Sequence, residues 1–142
     1  MQYLYPVDIN VGKDGRHLVM FPDLPECMTD GASRVEALTE AIDALNASLA
    51  YRISYKLDIP PPSPHRGRPV VAPGAAIAAK AALYQALTAA GISQAELARR
   101  LGVDRSEIRR LLSPRHGSSI ERLNDAVAQL DRRLVVGWRG AA

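Results

Sequence analysis

Residues 93–112 constrain the fold of this chain more than any other part of its sequence. They read SQAELARRLGVDRSEIRRLL, and this pattern predicts two short amphipathic helices joined by a turn at Gly102. Two such helices can cross closely only if apolar side chains from both meet in one small core. The predicted core positions are Leu97, Ala98, Leu101, Val103, Ile108 and Leu111. The segment therefore predicts a helix-turn-helix, and the arginines on its second helix indicate DNA as a ligand.

Charged residues are divided unequally along the chain of 142 residues. Residues 1–64 contain 5 Lys and Arg against 9 Asp and Glu, whereas residues 65–142 contain 13 against 6, so the net charges are −4 and +7. An acidic half suits a basic partner, and a basic half suits phosphate. We therefore expect two small domains with different partners, at residues 1–73 and 74–142.

Cysteine usage and the terminal sequence bear on the compartment. Cys27 is the only cysteine, which excludes an intrachain disulfide and a cysteine-cluster metal site and favours a reducing cytoplasm. The start, MQYLYPVD, lacks the features of a secretory signal, and no stretch approaches the roughly 20 apolar residues of a membrane span. A cytoplasmic protein with no membrane partner is expected.

The first 73 residues predict a sheet of short strands. Polar and apolar residues alternate over 5–11, an apolar run follows at 18–21, and the turn residues at 12–15 predict a hairpin between them. A short third strand is expected at 26–29, before Asp30 and Gly31 turn the chain into a helix. Residues 68–72 can add a fourth strand at the edge.

A long helix is predicted after the third strand. Ser33 and Glu36 have the spacing of a capping box, which marks the start of this helix. Its apolar residues recur at steps of three and four and are expected to cover the sheet; they are Val35, Leu38, Ile42, Leu45 and Leu49. The sequence PPPSP at 60–64 excludes a helix and predicts an extended segment. The predicted N-terminal domain is a two-layer β-β-β-α(-β) arrangement, so the whole chain has the α+β class.

The C-terminal domain is expected to be all-α. An alanine-rich helix is predicted from Ala75 to a stop at Gly91, and Ser93, Asp104 and Ser118 mark the starts of three more helices, the last at about 119–132. Residues 134–138, LVVGW, have the pattern of an extended segment. This segment is a candidate for pairing across a dimer or for a strand within one chain.

The DNA contacts are expected near the start of the second helix of the motif, because that end lies nearest the base edges in the major groove. Arg105, Ser106 and Arg110 are candidates for base contacts, since arginine pairs with the O6 and N7 atoms of guanine. The candidates for phosphate contacts are Gln94, Arg109 and Arg115, with His116 and Ser118 beside them. The competing interpretation is a solvated helix face. Specific binding by two units on a palindrome implies a dimer.

Motifs in both halves resemble known families. The residues Gln94, Ala98, Gly102, Val103, Ile108 and Leu111 resemble the helix-turn-helix of the Cro and phage-repressor class. The first half contains FPDLP at 21–25, Cys27, Gly31, EAL at 36–38, Ala41 and IPPPS at 59–63, and AKAALY follows at 79–84. In this order, these segments resemble the HicB antitoxin family over nearly the whole chain. The sequence departs from that pattern at Glu26, where many relatives have glycine, and at Ala32 and Ser33.

The HicB resemblance implies a partial ribonuclease-H-like fold at the N-terminus. It implies that this domain binds a HicA toxin, a small RNA-cleaving protein, and that the C-terminal domain represses the shared operon. An RNA-binding toxin is expected to be basic, which fits the acidic first half. The expected toxin-binding residues are Asp23, Leu24, Pro25, Glu26 and Asp30. The resulting hypothesis is a non-enzymatic antitoxin and autorepressor that forms a homodimer or tetramer.

The sequence is also compatible with two other classes of function. One is a stand-alone transcription regulator whose N-terminal domain senses a small molecule. The other is a nuclease in which Asp8, Asp14, Asp23 and Asp30 bind two metal ions. Asp14 and Asp30 stand in turn contexts that favour aspartate in any case. The three histidines are scattered and no glycine-rich phosphate loop is present, so no catalytic residue, metal or cofactor is predicted.

Overall fold

A computed structural model describes residues 1–140 of the chain. Its residue contacts form two compact units, unit 1 at residues 1–77 and unit 2 at residues 78–142. Ala141 and Ala142, which end the predicted C-terminal domain, lie outside the described residues. Unit 1 contains a small β-structure with one long helix, and unit 2 is helical, which confirms the predicted α+β class.

The strands of unit 1 form two antiparallel ladders. Strands β2 (Asp8–Val11), β3 (His17–Met20) and β4 (Met28–Gly31) form a three-stranded sheet in that order. Strand β1 (Tyr5–Pro6) pairs with β5 (Val70–Val71), which confirms the expected edge strand. The strand predicted over 5–11 is interrupted at Val7, because its backbone N–H donates to the carbonyl of Pro69 at 2.9 Å instead of pairing within the three-stranded sheet.

Strand β4 begins two residues later than predicted. The chain first turns between Phe21 and Cys27, where the Leu24 N–H donates to the Phe21 carbonyl at 3.0 Å and the Cys27 N–H donates to the Leu24 carbonyl at 2.8 Å. The prediction of a turn at Asp30 and Gly31 was wrong, because both residues pair with β3. Gly31 is required for a different reason: a Cβ atom there would lie 2.5 Å from the backbone nitrogen of Ala37.

Helix α1 (Arg34–Ser54) packs on one face of the three-stranded sheet. The predicted cap is confirmed, since the Glu36 N–H donates to Ser33 Oγ at 3.1 Å, and the Glu36 carboxylate accepts from the Ala32 N–H at 3.0 Å. The predicted apolar face was partly wrong, because Val35 and Ile42 are exposed. Small side chains let the helix approach the sheet closely, and the buried residues are Ala37, Ala41, Leu45, Ser48, Leu49 and Ile53.

Four helices follow, as predicted. They are α2 (Ala75–Ala90), α3 (Gln94–Leu101), α4 (Arg105–Leu112) and α5 (Ile120–Ala128). Unit 2 has one apolar core, formed by Ala79, Leu83, Ala86, Leu87, Leu97, Ala98, Ile108, Leu111, Leu112, Leu123, Ala126, Val127 and Leu130. This core includes most of the side chains predicted to join the two helices of the motif.

The ends of the helices differ in detail from the prediction. Helix α5 is capped by Ser119 rather than Ser118, and the side chain of Asp104 makes no capping hydrogen bond to α4. Residues 134–138 form no strand in the described structure, although the Leu134 N–H is anchored to Asn124 Oδ1 at 3.0 Å. Over residues 1–140, no single helix has the length and apolar character of a membrane span; α2 and α3 pass that test only as a pair bent by 107°.

Candidate functional site

A left-handed glycine connects α3 to α4. Gly102 has φ +67°, a conformation that glycine adopts without the steric cost of a side chain. The Gly102 N–H donates to the Arg99 carbonyl at 3.2 Å, and the Val103 N–H donates to the Ala98 carbonyl at 3.0 Å. These bonds satisfy carbonyls at the end of α3 and set the direction in which α4 leaves. Ser93 caps the start of α3 by accepting from the Glu96 N–H at 3.0 Å.

Helix α4 has a buried side and an exposed side. Ile108, Leu111 and Leu112 are buried in the core of unit 2. Because successive residues of a helix are rotated by about 100°, Ser106, Arg109 and Arg110 lie on the opposite side. Both arginines are exposed, Ser106 is half-buried, and the exposed Arg105 is the first residue of the helix. The structure thus brings four of the predicted DNA-binding residues onto one short helix.

Among the described residues, Glu107 forms an ion pair with one arginine of α4 and leaves the others of this helix unpaired. Its carboxylate accepts from Arg110 Nη2 at 2.8 Å and from Arg122 Nη1 of α5 at 2.6 Å. The hydrogen bond from Arg110 is the main reason that the pKa of Glu107 is lowered. Within residues 1–140, the side chains of Arg105, Arg109 and Arg115 form no hydrogen bond or ion pair. These three guanidinium groups have all their donors available to a ligand.

The remaining predicted DNA contacts lie at the edges of this helix pair. Gln94 is the first residue of α3 and is half-buried. Arg115 and His116 are exposed in the loop between α4 and α5. Ser118 is less free than expected, because its hydroxyl oxygen accepts a hydrogen bond from Lys80 Nζ at 3.0 Å.

Lys80 is a functional candidate that the sequence analysis did not identify. It is only 3% exposed, and its ammonium group donates to the carbonyls of Arg110 at 3.1 Å and Leu111 at 3.0 Å as well as to Ser118. Burial lowers the pKa of this lysine. The available signal was its position three residues before Leu83 and seven before Leu87, which places a cation on the apolar side of α2.

Three of the predicted toxin-binding residues have their partners inside unit 1. The Asp23 carboxylate accepts from the Ser63 N–H at 2.8 Å and from the Ser63 hydroxyl. Leu24 was expected on the binding surface, but its side chain is 0% exposed and belongs to the core. Glu26 is bound by Arg52 of α1 at 2.7 Å and by the hydroxyl of Ser48. The contacts of Asp23, Leu24 and Glu26 within unit 1 stabilise the turn.

The Glu26–Arg52 pair joins this turn to the rest of unit 1. Hydrogen bonds from Arg52 are the main cause that lowers the pKa of Glu26 to about 2. Arg52 also donates to the carbonyl of Asp58, and the Tyr5 hydroxyl donates to the carbonyl of Pro60 at 2.7 Å. The proline-rich segment is therefore held against α1 and β1, which explains how a chain with few backbone donors is kept in place.

The other two predicted toxin-binding residues, Pro25 and Asp30, are exposed. Asp30 lies on the side of the three-stranded sheet that α1 does not cover, which we call the outer sheet face. Strand pairing defines this face as two rows across the sheet: Asp8, Met20 and Met28, then Asn10, Leu18 and Asp30.

The outer sheet face has an apolar centre, and two of its opposite corners are acidic. Leu18, Met20 and Met28 remain 37%, 39% and 54% exposed. Asp30 forms an ion pair with Arg16 at 2.7 Å, and Asp8 lies 3.7 Å from Arg68, with about half of each carboxylate side chain exposed. Exposed apolar side chains that adjoin one another in this way mark a surface suited to a protein partner.

The carboxylates required by the nuclease alternative do not form a cluster. Asp8 faces Arg68, Asp14 accepts from the Arg16 N–H, Asp23 binds Ser63 and Asp30 binds Arg16. Among the residues that the structure describes, no three His, Cys, Asp or Glu side chains lie close enough together to hold a metal ion. The geometry gives that alternative no candidate ligand set in residues 1–140.

Comparisons with known proteins agree with both halves of this description. A family described as HicB_like antitoxin of bacterial toxin-antitoxin system matches residues 4–82, and a helix-turn-helix family matches residues 83–134. Antitoxin HicB 2 of Photorhabdus laumondii is 38% identical over 130 residues, which cover 92% of this chain and 92% of that protein. Antitoxin HicB of Escherichia coli K12 is 33% identical over 131 residues, which cover 92% of this chain and 95% of that protein. The chain therefore belongs to the HicB antitoxin family and carries a helix-turn-helix DNA-binding domain.

Proposed function

We propose that this chain neutralises a HicA-type RNA-cleaving toxin through unit 1 and represses its own operon through unit 2. One observation carries the proposal. This member of an antitoxin family has both an exposed apolar sheet face with acidic residues and a helix-turn-helix with exposed arginines. Asp8 and Asp30 on the sheet face and Arg110 on α4 are ion-paired within their own units, but the apolar side chains of the face and the guanidinium groups of Arg105 and Arg109 stay exposed. The chain then acts by binding alone, in the cytoplasm, without a catalytic group or cofactor.

The proposed operator contacts use the exposed side of α4 and its surroundings. Unit 2 contains 11 Lys and Arg against 6 Asp and Glu, and this positive charge favours binding to the DNA backbone. Arg105, Ser106 and Arg110 are proposed to read bases, because they lie near the start or on the exposed side of α4. Phosphate contacts are assigned to Gln94, Arg109 and Arg115. A homodimer or tetramer would present two such helices to a palindromic site.

The proposed toxin contact is the outer sheet face. Leu18 and Met20 on the central strand and Met28 on edge strand β4 provide apolar area, and Asp30 lies on the same edge strand. Pro25 is exposed in the turn that precedes β4. Unit 1 has 9 Asp and Glu against 7 Lys and Arg, because Arg66 and Arg68 fall within it, so its net charge is only −2. Apolar contact therefore has to supply most of the affinity, with the carboxylates orienting a basic partner. A toxin bound there would be screened from RNA.

The experiment that tests this function is co-expression of the full chain with the product of the adjacent reading frame. We expect the two proteins to purify together and the partner's RNA cleavage to be suppressed in proportion to the amount of antitoxin. The complex should also bind a DNA duplex from the shared promoter, as measured by a gel-shift titration. A chain that binds neither the adjacent gene product nor the promoter would contradict the proposal.

A further inference from the structure

We infer that Lys80 is a positioning residue for DNA recognition: its buried ammonium group fixes the end of α4 and the loop that follows. The inference concerns how unit 2 binds DNA and rests on the proposed sequence-specific recognition. Lys80 itself is buried, so it acts through the residues it holds and does not contact DNA.

The three hydrogen bonds of Lys80 use its full donor capacity. A lysine ammonium has three donors, and here they reach the Arg110 carbonyl, the Leu111 carbonyl and the Ser118 hydroxyl at 3.0–3.1 Å. The three acceptors come from two places in the chain, the last turn of α4 and the residue before the cap of α5. One side chain of α2 therefore connects α2, α4 and the entry to α5.

The position suits a cation for a physical reason. The last four carbonyls of a helix have no amide partner within that helix, and together they give its C-terminus a partial negative charge. Leu111 provides one of these carbonyls and accepts from Lys80. An uncharged side chain of the same length would leave the buried Leu111 carbonyl and the Ser118 hydroxyl without this donor. The Arg110 carbonyl would keep only the Ser113 N–H, at 3.2 Å. Such unpaired groups are costly in a core, and the end of α4 would shift to reach water.

The same contacts determine where the α4–α5 loop can lie. Lys80 holds Leu111 on one side of this loop and Ser118 on the other. Arg115, whose guanidinium group is exposed, lies between these two tethers. Arg110, a proposed base contact, contributes one of the bonded carbonyls. Loss of the ammonium group is therefore expected to displace a base contact and a phosphate contact together.

The test compares the full-length wild-type chain with Lys80→Met, which keeps the length of the side chain and removes its charge. One probe is a duplex that the wild-type protein selects from a random-sequence library, and the other is a scrambled duplex of the same composition. We expect affinity for the selected duplex to fall about tenfold and affinity for the scrambled duplex to change by less than about twofold. Hydrogen exchange should accelerate at the backbone amides of residues 113 and 115–117 and stay unchanged in α3.

A second variant tests the charge directly. In a Cys27→Ala parent, which has no other thiol, Lys80→Cys is alkylated in denaturant with 2-bromoethylamine and refolded, which restores an ammonium group at nearly the original length. Affinity for the selected duplex should return to within about threefold of the parent value. Alkylation with iodoacetamide, which adds a neutral group, should not restore it. Equal recovery with both reagents would show that the ammonium group is not what positions α4.

Ala79→Gly provides the matched control, because it weakens α2 next to Lys80 without removing a donor. All affinities are measured at a temperature where every variant is folded by circular dichroism. A folded Lys80→Met protein with wild-type preference for the selected duplex would overturn the inference, as would an equal loss of preference in Ala79→Gly. If the wild-type chain selects no sequence, the proposed operator recognition fails. In that case hydrogen exchange still tests the role of Lys80, because unchanged exchange at residues 113 and 115–117 in Lys80→Met would overturn it.

Discussion

Glu107 binds Arg110 on the exposed side of α4, with Oε2 2.8 Å from Nη2. Arg110 is one turn away on the same helix, and Glu107 also binds Arg122 of α5 at 2.6 Å. An arginine held in this way has to exchange a carboxylate for its ligand on binding DNA. Arg105 and Arg109 have no such partner among the described residues, so the arginines of α4 are not equivalent.

We first predict that Glu107→Gln strengthens binding to non-specific DNA. The change removes a negative charge beside the phosphate backbone and releases Arg110 and Arg122, so affinity at low salt should rise about fivefold and the salt dependence should become steeper. Fluorescence anisotropy over a series of salt concentrations measures both quantities. Glu121→Gln is the charge-matched control, because Glu121 is exposed in the first turn of α5. Equal effects of the two substitutions would mean that net charge, and not the Glu107 contacts, controls affinity.

A second prediction separates base contacts from phosphate contacts on α4. Arg110→Ala should lower affinity for the selected operator duplex by about 1–3 kcal/mol and relax preference at one base position, whereas Arg109→Ala should weaken binding to all sequences and reduce the salt slope by about 1. Binding to a base-substituted duplex series distinguishes these results. Toxin binding should be unchanged in both variants, and uniform weakening by Arg110→Ala would remove it from base recognition.

The local features of the helix-turn-helix were predictable because they depend on neighbouring residues. The Ser93 cap and the left-handed Gly102 turn follow from residue types within one or two turns of chain. The contacts of Lys80 and Glu107 with other helices depend on how helices distant in sequence pack together. Sequence periodicity indicates that Lys80 faces inward, but it cannot identify the carbonyls that Lys80 would meet.

The same distinction applies to unit 1. The pattern of strands and the capped start of α1 were predicted, but the buried side of α1 was assigned to the largest apolar residues. Gly31 allows such a close approach at the start of α1 that Ala37 and Ala41 form the buried side there, and Val35 and Ile42 remain exposed. The burial of Leu24 in a proline-bounded turn depends on tertiary packing, which the short motif around it does not encode.

A third prediction concerns the outer sheet face. Met28→Lys places a cation on the most exposed apolar side chain of the proposed toxin contact and should reduce affinity for a basic toxin at least tenfold by calorimetry. Because Met28 is 54% exposed, the substitution should have little effect on folding. Val35→Lys on α1 is the control, since Val35 is also exposed and apolar but lies outside this face. If the toxin binds Met28→Lys as tightly as it binds wild type, the toxin contact lies elsewhere on the chain. The proposal that the chain neutralises a toxin would still stand.

A fourth prediction follows from the lowered pKa of Glu26. Its pKa is about 2 in the folded chain against an ordinary value of 4.5, so its ionised form stabilises unit 1 above pH 4.5. Glu26→Gln should therefore reduce the free energy of unfolding of unit 1 by about 1–2 kcal/mol at pH 7, since the pair with Arg52 is partly solvent-screened.

The difference between wild type and Glu26→Gln should shrink as the pH falls from 4.5 towards 2, because the native carboxylate then becomes protonated. Urea unfolding followed by NMR of the Leu45 and Leu49 methyl groups reports on unit 1. Asp43→Asn is a control, since Asp43 is an exposed carboxylate on α1, the helix that carries Arg52. A difference that is constant with pH would mean that shape, and not charge, accounts for the effect of Glu26.

The fifth prediction concerns the contact between β4 and α1. In Gly31→Ala the new Cβ would lie 2.5 Å from the Ala37 nitrogen and 2.8 Å from its Cα, both backbone atoms that cannot rotate away. The start of α1 then has to move off the sheet, at a cost of about 1–3 kcal/mol. Gly15→Ala is a control in which the new Cβ meets no neighbouring atom but the backbone has φ +79°. Because only backbone strain opposes it, this substitution should lower the free energy of unfolding less than Gly31→Ala does. Urea unfolding of unit 1 measures both, and wild-type stability in Gly31→Ala would show that the helix adjusts without loss.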